Sequence, residues 1–189
     1  MAITKSLTTV NLASSTPIQV ARGSVSNDAD GTRQAMMFFS QGTSAQMVMP
    51  DGTTQTLNSL NIRATEYTVG PNGPKSMSAE LPPTSAYTYA VELSADEAVT
   101  AGATEVRFDK PVFFYVENFL NFPVGGIVPA GYYDYSKAAW VPSDNGKIVK
   151  VLAINSGLAE LDTDGSGQAA SLLHSIRRAR ACGGCRWPT

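Results

Sequence analysis

Residues 112–142 restrict the possible folds of this chain more than any other stretch. Here aromatic side chains alternate with Pro, Gly and Asn in the sequence VFFYVENFLNFPVGGIVPAGYYDYSKAAWVP. Aromatic residues favour strands, whereas Pro, Gly and Asn interrupt strands and form turns. The stretch therefore predicts the strand–turn–strand framework of a β module.

The rest of the chain also consists of short apolar or alternating runs between turn-forming residues. Strands are predicted at residues 18–21, 34–40, 45–49, 61–69, 85–93, 106–110, 112–116, 131–135, 138–141 and 147–154. The segment Ser143-Asp144-Asn145-Gly146 precedes the last of them, and Asn-Gly suits the type I′ turn of a two-residue hairpin. We therefore expect the last two strands to form a hairpin.

One short helix is predicted near residues 94–101. Ser94 and Glu97 have the spacing of a capping box, in which the two side chains bind backbone N–H groups at the helix start. Thr100 and Gly102 are expected to end the helix. Asp96 and Glu97 are then explained as partners of the helix cap and dipole, and not as catalytic carboxylates.

These patterns predict an all-β fold, an antiparallel β-sandwich-like module with this one helix. It is formed either as one sandwich or as two small β halves. The expected division is an N-terminal β half at residues 1–100, a C-terminal β half at residues 101–168 and an irregular tail at residues 169–189.

The distribution of charge argues against a nucleic acid as partner. The chain has 14 basic and 16 acidic residues, and the tail holds four of the basic ones, Arg177, Arg178, Arg180 and Arg186. Residues 1–168 therefore carry 10 basic and 16 acidic groups, a net charge of −6. Surfaces that bind the phosphate backbone are basic, and four arginines on a short tail do not offset an acidic body.

The sequence predicts neither a membrane span nor a signal peptide. It has no run of about 18 or more apolar residues, which a membrane-crossing helix needs. The first residues, Met1-Ala-Ile-Thr-Lys5, lack an apolar core and a cleavage site. We expect either a cytoplasmic chain or a piece of a longer secreted chain.

The segment VENFLNFPVGGIVPAGYYDYSKAAWVPSDNGKIVKVL resembles the β-rich lead-in module of bacterial Rhs/YD-repeat (teneurin-like) surface and secreted proteins. The upstream segments PDGTTQTL, RATEYTVG and PPTSAYTYAVELSADEA are similar to the same family, so the resemblance covers residues 45–165. It implies a non-catalytic structural or binding module of a larger shell-type protein. It also implies an extracellular or cell-surface location, with other parts of the parent protein as partners. The resemblance identifies neither catalytic residues nor a small-molecule ligand.

The sequence departs from that family after Gln168, where its composition changes abruptly to Arg, Cys and Trp. We interpret residues 169–189 as an irregular tail that arose as a cloning or reading-frame artefact. The tail contains the single histidine, His174, and the pair Cys182 and Cys185. We do not expect a serine-hydrolase triad, because no G-x-S-x-G surrounds any serine, and one pair of cysteines is only half a zinc site, so an accidental disulfide or free thiols are expected.

The best metal candidate is the segment Asp162-Thr-Asp-Gly-Ser-Gly-Gln168. Asp162, Asp164 and Ser166 supply oxygen atoms at positions 1, 3 and 5 of a tight loop, and Gln168 can add a backbone carbonyl at position 7, as Ca²⁺ requires. A full EF-hand also needs Glu at position 12, where this chain has Leu173. The alternative to calcium binding is a solvated linker.

Glu117 and Asp134 are the candidate catalytic acids, because they bracket an aromatic segment with Tyr132, Tyr133 and Trp140. Two carboxylates beside aromatic rings suit a pocket for a sugar or lactone. The alternative function is therefore a small calcium-dependent hydrolase acting on an ester, lactone or glycoside. In the simpler interpretation the carboxylates bind turn backbone groups and the aromatic side chains fill the core.

Overall fold

The computed structural model describes residues 6–82 and 87–170 and the backbone of residues 186–188. It confirms the all-β prediction, because its strands form antiparallel sheets around a single short α-helix in these residues. Three larger sheets and four two-stranded ones make up the described fold.

The first sheet has three strands in the order β1–β8–β9. Its strands are β1 (Leu7–Asn11), β8 (Ser59–Glu66) and β9 (Val91–Ala95). Leu60, Ile62 and Ala64 alternate along the central strand β8, and all three are buried. Because successive side chains point to opposite faces of a strand, one face of β8 lies in the core.

The second sheet has the order β18–β10–β6–β7, and the third has the order β11–β5–β2. The second contains β6 (Ala45–Val48), β7 (Thr54–Leu57), β10 (Glu105–Phe108) and β18 (Arg186–Pro188). The third contains β2 (Ile18–Arg22), β5 (Met36–Ser40) and β11 (Phe113–Tyr115). The pairing of β10 with β6 and of β11 with β5 crosses the predicted boundary at residue 100.

The remaining strands form two-stranded pairs, and two short helices complete the fold. The pairs are β3 (Ser26–Asp28) with β4 (Gly31–Arg33), β12 (Ile127–Val128) with β15 (Gly146–Lys147), β13 (Gly131–Asp134) with β14 (Ala139–Pro142), and β16 (Lys150–Asn155) with β17 (Leu158–Asp162). The helices are a 3₁₀ turn at Pro74–Ser76 and α1 (Asp96–Ala101).

Among the described side chains, the buried members of the hydrophobic core all lie between Val10 and Val112. Phe39 of β5 contacts Phe108 of β10 at 5.8 Å between ring centroids, which joins the second and third sheets inside this core. Between residues 113 and 170 the only fully buried side chain is that of Asp162. The C-terminal strands therefore lie outside the core, and the aromatic side chains of residues 113–142 do not fill it as the simpler interpretation expected.

The predicted capping box is wrong, although the helix is present and Gly102 ends it with φ 66°. Thr100, which was also expected to end the helix, lies inside α1. Ser94 belongs to β9, and the extended residue Ala95 precedes the helix without a side-chain cap. The Glu97 carboxylate instead accepts hydrogen bonds from the backbone N–H of Asn61, at 3.0 and 3.1 Å, and from its side-chain amide at 2.8 Å. Tertiary partners on β8 have replaced the local cap.

The predicted hairpin at Asn145-Gly146 is also wrong. β14 pairs with β13 and β15 pairs with β12, so the strands on either side of this dipeptide do not pair with each other. A type I′ turn needs positive φ at both central residues, and neither Asn145 nor Gly146 has it. The two-residue turn with that geometry is Ser156-Gly157, with φ 51° and 81°, which joins β16 to β17.

Two strands differ most from the sequence prediction. The strand expected at residues 147–154 is divided into β15 and β16. Of the strand expected at residues 85–93, only the part from Val91 onward is extended and paired, and residues 83–86 lie outside the described residues.

Candidate functional site

The four predicted calcium ligands lie together in residues 162–168, which we call the acidic turn. Asp162 ends β17 and is 2% exposed. Its Oδ1 accepts hydrogen bonds from the backbone N–H groups of Asp164 (3.1 Å) and Gly165 (2.8 Å), and its Oδ2 accepts one from Gly167 (2.9 Å). A single buried carboxylate thus holds the backbone of the turn.

The hydrogen bonds also determine the charge state of Asp162. Burial alone raises the pKa of this carboxyl, but the backbone N–H groups of Asp164, Gly167 and Gly165 stabilise its ionised form. Together they outweigh burial, so that the pKa of Asp162 is lowered from its ordinary value. The turn therefore contains a buried negative charge at neutral pH.

The other predicted ligands continue the turn at its exposed side. Asp164 Oδ1 accepts the Ser166 N–H at 3.0 Å, and Ser166 Oγ accepts the Gln168 N–H at 3.3 Å. The side chains of Asp162, Asp164 and Ser166 offer only oxygen atoms, the ligand type that Ca²⁺ prefers, and these oxygens accept backbone hydrogen bonds within the turn. Within the described ranges, no three His, Cys, Asp or Glu side chains form a metal-binding group.

The acidic turn packs against the Gly-Gly pair of the FPVGG segment. Gly125 has φ 86°, and a Cβ atom at this position would lie 2.9 Å from the Cα and carbonyl carbon of Asp164. Gly125 donates its N–H to the Ile148 carbonyl, and Ile148 donates its N–H to the Gly126 carbonyl, both at 2.9 Å. The structure therefore brings together two features that the sequence places almost forty residues apart.

Glu117, the first candidate acid, is engaged in the backbone of a neighbouring strand connection. Its Oε2 accepts the N–H of Gln34 at 2.6 Å, across 83 residues of sequence. This contact fixes the chain after β11 to the segment between β4 and β5. The carboxylate thus has a structural partner.

Asp134, the second candidate acid, stabilises the turn between β13 and β14. Its Oδ1 accepts hydrogen bonds from the Ser136 N–H (3.0 Å) and hydroxyl (2.6 Å), and its Oδ2 pairs with Lys137 Nζ at 2.8 Å. The pKa of Asp134 is lowered to about 2, first by the hydrogen bond from Lys137 and then by that from Ser136. A general acid needs a raised pKa, so Asp134 is unsuited to that role.

The aromatic side chains near Asp134 form a cluster on the surface. The Tyr133 ring lies 5.1 Å from that of Tyr135 and 5.4 Å from that of Trp140, between centroids. Trp140 donates its Nε1–H to the Glu80 carbonyl at 3.1 Å, and Tyr135 shares a hydrogen bond with Ser78. These rings join the β13–β14 hairpin to residues 78–80.

Arg33 is the most buried charged side chain among the described residues, and no sequence pattern predicted it. Arg33 is 1% exposed and binds Asp28 through two parallel hydrogen bonds of 2.8 Å. Its Nε also donates to Glu66 Oε1 at 2.6 Å, and its guanidinium lies 4.6 Å from the centroid of the Phe119 ring. Arg33 lies in a polar, turn-rich region with no periodic apolar pattern, so no sequence signal marked it as buried.

Comparison of the chain with protein-family models, with curated proteins and with solved structures gives no match. Among the described residues, no helix is long and apolar enough to cross a membrane. His174, Cys182 and Cys185 lie outside the described residues.

Proposed function

We propose that this chain is a non-catalytic structural and binding β module of a larger, secreted or cell-surface protein of the shell type, stabilised by Ca²⁺. One observation carries the proposal. The described core lies within residues 10–112, and nine of the fourteen exposed large hydrophobic side chains of the described residues lie in residues 113–170. A surface of this kind is expected where a module contacts further polypeptide.

The β16–β17 hairpin is the clearest part of this surface. Val151, Ile154 and Leu158 are 53%, 71% and 76% exposed, and Ile127 of β12 is 61% exposed. In the part of the chain that the structure describes, neither β16 nor β17 pairs with a third strand. Unpaired strand edges with apolar side chains are normally covered by another chain segment. The family resemblance indicates that this segment belongs to the parent protein.

The candidate acids support a structural interpretation. Glu117 binds a backbone N–H of a distant segment, and Asp134 is held ionised by its own turn. An inverting or retaining glycosidase needs one carboxyl group that is protonated at working pH. The hydrogen bonds of these two side chains are instead those of residues that fix loops.

Hydrogen exchange tests the proposal by comparing the isolated chain with a longer chain that includes its flanking polypeptide. We expect the amides of β16 and β17 to exchange rapidly in the isolated chain and slowly in the longer one. The amides of the central strand β8 serve as the control, since they are protected in both. Equal exchange of β16 and β17 in the two chains contradicts the binding role.

A second measurement tests the non-catalytic part. We expect the isolated chain to show no turnover on panels of esters, lactones and glycosides. Turnover that is lost in Glu117→Gln or Asp134→Asn would show that the chain is a hydrolase. The matched variant Asp144→Asn, which changes an exposed acid in the loop between β14 and β15, controls for the loss of a surface charge.

A further inference from the structure

The described chain contains two Asn-Gly dipeptides, Asn72-Gly73 and Asn145-Gly146, which differ sharply in structure. In Asn-Gly, the backbone nitrogen of Gly can attack the side-chain carbonyl carbon of Asn, because Gly has no side chain to hinder the approach. The attack needs an accessible Asn side chain and space for it to approach the Gly nitrogen. The two sites therefore differ in expected reactivity although their sequences are the same.

The Asn72-Gly73 backbone is held in place. Gly73 is buried with helical φ −56° and ψ −57°, and a Cβ atom there would overlap the carbonyl oxygens of Tyr67 and Val69. Its carbonyl accepts the Ser76 N–H at 2.9 Å, while the Ser76 hydroxyl donates to the Asn72 carbonyl at 2.9 Å. The Gly73 nitrogen cannot reach the Asn72 side chain without breaking this packing.

Gly146 of Asn145-Gly146 pairs with Val128 at the start of β15, but the dipeptide is not packed into a buried turn as Asn72-Gly73 is. Both residues are exposed, and within the described ranges the Asn145 side chain makes no hydrogen bond. The position of a Cβ atom on Gly146 is 3.6 Å from the nearest atoms, those of Val128, which is an ordinary contact. Asn145 thus ends the connection between β14 and β15, two strands that do not pair with each other.

We propose that Asn145 is a site of spontaneous deamidation. The Gly146 nitrogen loses its proton to water or hydroxide and bonds to Cγ of Asn145, and the Cγ–nitrogen bond of the amide breaks to release ammonia. One water molecule then opens the cyclic imide at either carbonyl, which gives aspartate or isoaspartate. The net change is one amide and one water converted to one carboxylate and one ammonium ion.

The position of Asn145 gives this reaction a structural consequence. The isoaspartyl product has one additional carbon atom in the backbone directly before β15, whose Gly146 pairs with Val128. The next ladder contacts join Ile148 to Gly125 and Gly126, and Gly125 is the residue that contacts Asp164 of the acidic turn. Conversion therefore weakens the pairing that places the acidic turn.

Peptide mapping by mass spectrometry tests the site during incubation of the full chain in mildly alkaline buffer. We expect Asn145 to convert to a mixture of aspartate and isoaspartate while Asn72 persists. In urea, where both dipeptides are released from the fold, we expect similar conversion at the two sites. Conversion of Asn72 at the same rate as Asn145 in the folded chain would overturn the proposal.

Two variants make the test independent of folding defects. Gly146→Ala adds a methyl group that the fold accommodates but that hinders the attack, so conversion of Asn145 should slow severalfold at an unchanged melting temperature. A wild-type rate in this variant contradicts the mechanism. Asn145→Asp adds the charge without the extra backbone atom, and we expect faster amide exchange at Ile148 in the isoaspartyl form than in this variant. Equal exchange rates would refute the link to β15.

Discussion

At the scale of single residues, Arg33 shows how a charged side chain can be buried in a small β protein. A buried guanidinium needs its charge and its N–H groups satisfied, and Asp28 and Glu66 supply both. Asp28 lies on the neighbouring strand β3, whereas Glu66 lies on β8. The same side chain therefore holds the β3–β4 hairpin against the first sheet.

Replacement of Arg33 is expected to lower the free energy of unfolding. Arg33→Met leaves Glu66, whose side chain is 8% exposed, without its cationic partner, and breaking a buried pair on one side costs about 3–5 kcal/mol. The matched control is Arg63→Met, since the Arg63–Asp96 pair is 29% and 36% exposed and such pairs contribute about 0.2–1 kcal/mol. Urea denaturation gives both free energies of unfolding. Equal losses in the two variants would contradict a structural role for Arg33.

The low pKa of Asp28 predicts how acid affects stability. The hydrogen bond from Arg33 is the main cause that lowers the pKa of Asp28 from 3.8 to about 2 in the folded chain. The folded state therefore binds a proton at Asp28 less readily than the unfolded state does. The contribution of ionised Asp28 to stability is present above pH 3.8 and is lost as the pH falls towards 2. We expect the melting temperature to fall across that window, and to fall less in Asp28→Asn. An equal slope in the variant would exclude Asp28 as the source.

At the scale of elements, some local signals in the sequence hold and others lose to tertiary contacts. Gly102 ends α1 as predicted because only its own backbone conformation is involved. Glu97 does not cap α1, because the N–H and amide of Asn61 on β8 compete for its carboxylate. Likewise, Asn145-Gly146 forms no hairpin, because β12 and β13 are the partners of the strands beside it. The local sequence does not specify which strand will lie beside a given segment, so features that depend on the neighbouring strand could not be predicted from it.

The contact between Gly125 and the acidic turn can be tested by adding one methyl group. Gly125→Ala and the control Gly52→Ala both place alanine at positive φ, 86° and 83°, which costs about 1–2 kcal/mol in each. Only at Gly125 does the new Cβ also collide with the Asp164 backbone, whereas nothing lies within 4 Å at Gly52. We expect Gly125→Ala to lose at least about 1 kcal/mol more in urea denaturation. Equal losses would show that this contact is unimportant.

Calcium binding by the acidic turn predicts a rise in thermal stability. A ligand at a hundred times its Kd stabilises the folded state by about 2.7 kcal/mol, which for a chain of this size raises the melting temperature by about 5–10 °C. We expect this difference between melts in Ca²⁺ and in chelator. Asp164→Asn should abolish it, while the exposed control Asp144→Asn should retain it. A melting temperature that is the same with Ca²⁺ and with chelator would exclude the site.

At the scale of the whole molecule, fold class and most strand positions were predictable, because alternation and turn residues are local properties. The location of the core could not be predicted from the sequence. Residues 113–142 are the most aromatic part of the chain, yet the core lies in residues 10–112 and is built mainly of Ala, Met, Leu, Ile and Val. Which strands face one another depends on long-range pairing, such as that of β10 with β6, and single-strand patterns do not specify it.

Backbone pairing places Arg186–Pro188 of the tail beside β10 in the second sheet. A chain that ends after Gln168 loses this edge strand but keeps the pairing of β10 with β6 and the whole described core. We therefore expect the truncated chain to fold, with a free energy of unfolding that is lower by about 0.5–1.5 kcal/mol for each ladder hydrogen bond lost and hence with a lower urea midpoint. The control replaces residues 169–189 by a Gly/Ser segment of the same length, which separates strand pairing from chain length. An unchanged midpoint after truncation would support the interpretation of the tail as an accidental extension, because a native edge strand contributes to the sheet that it joins.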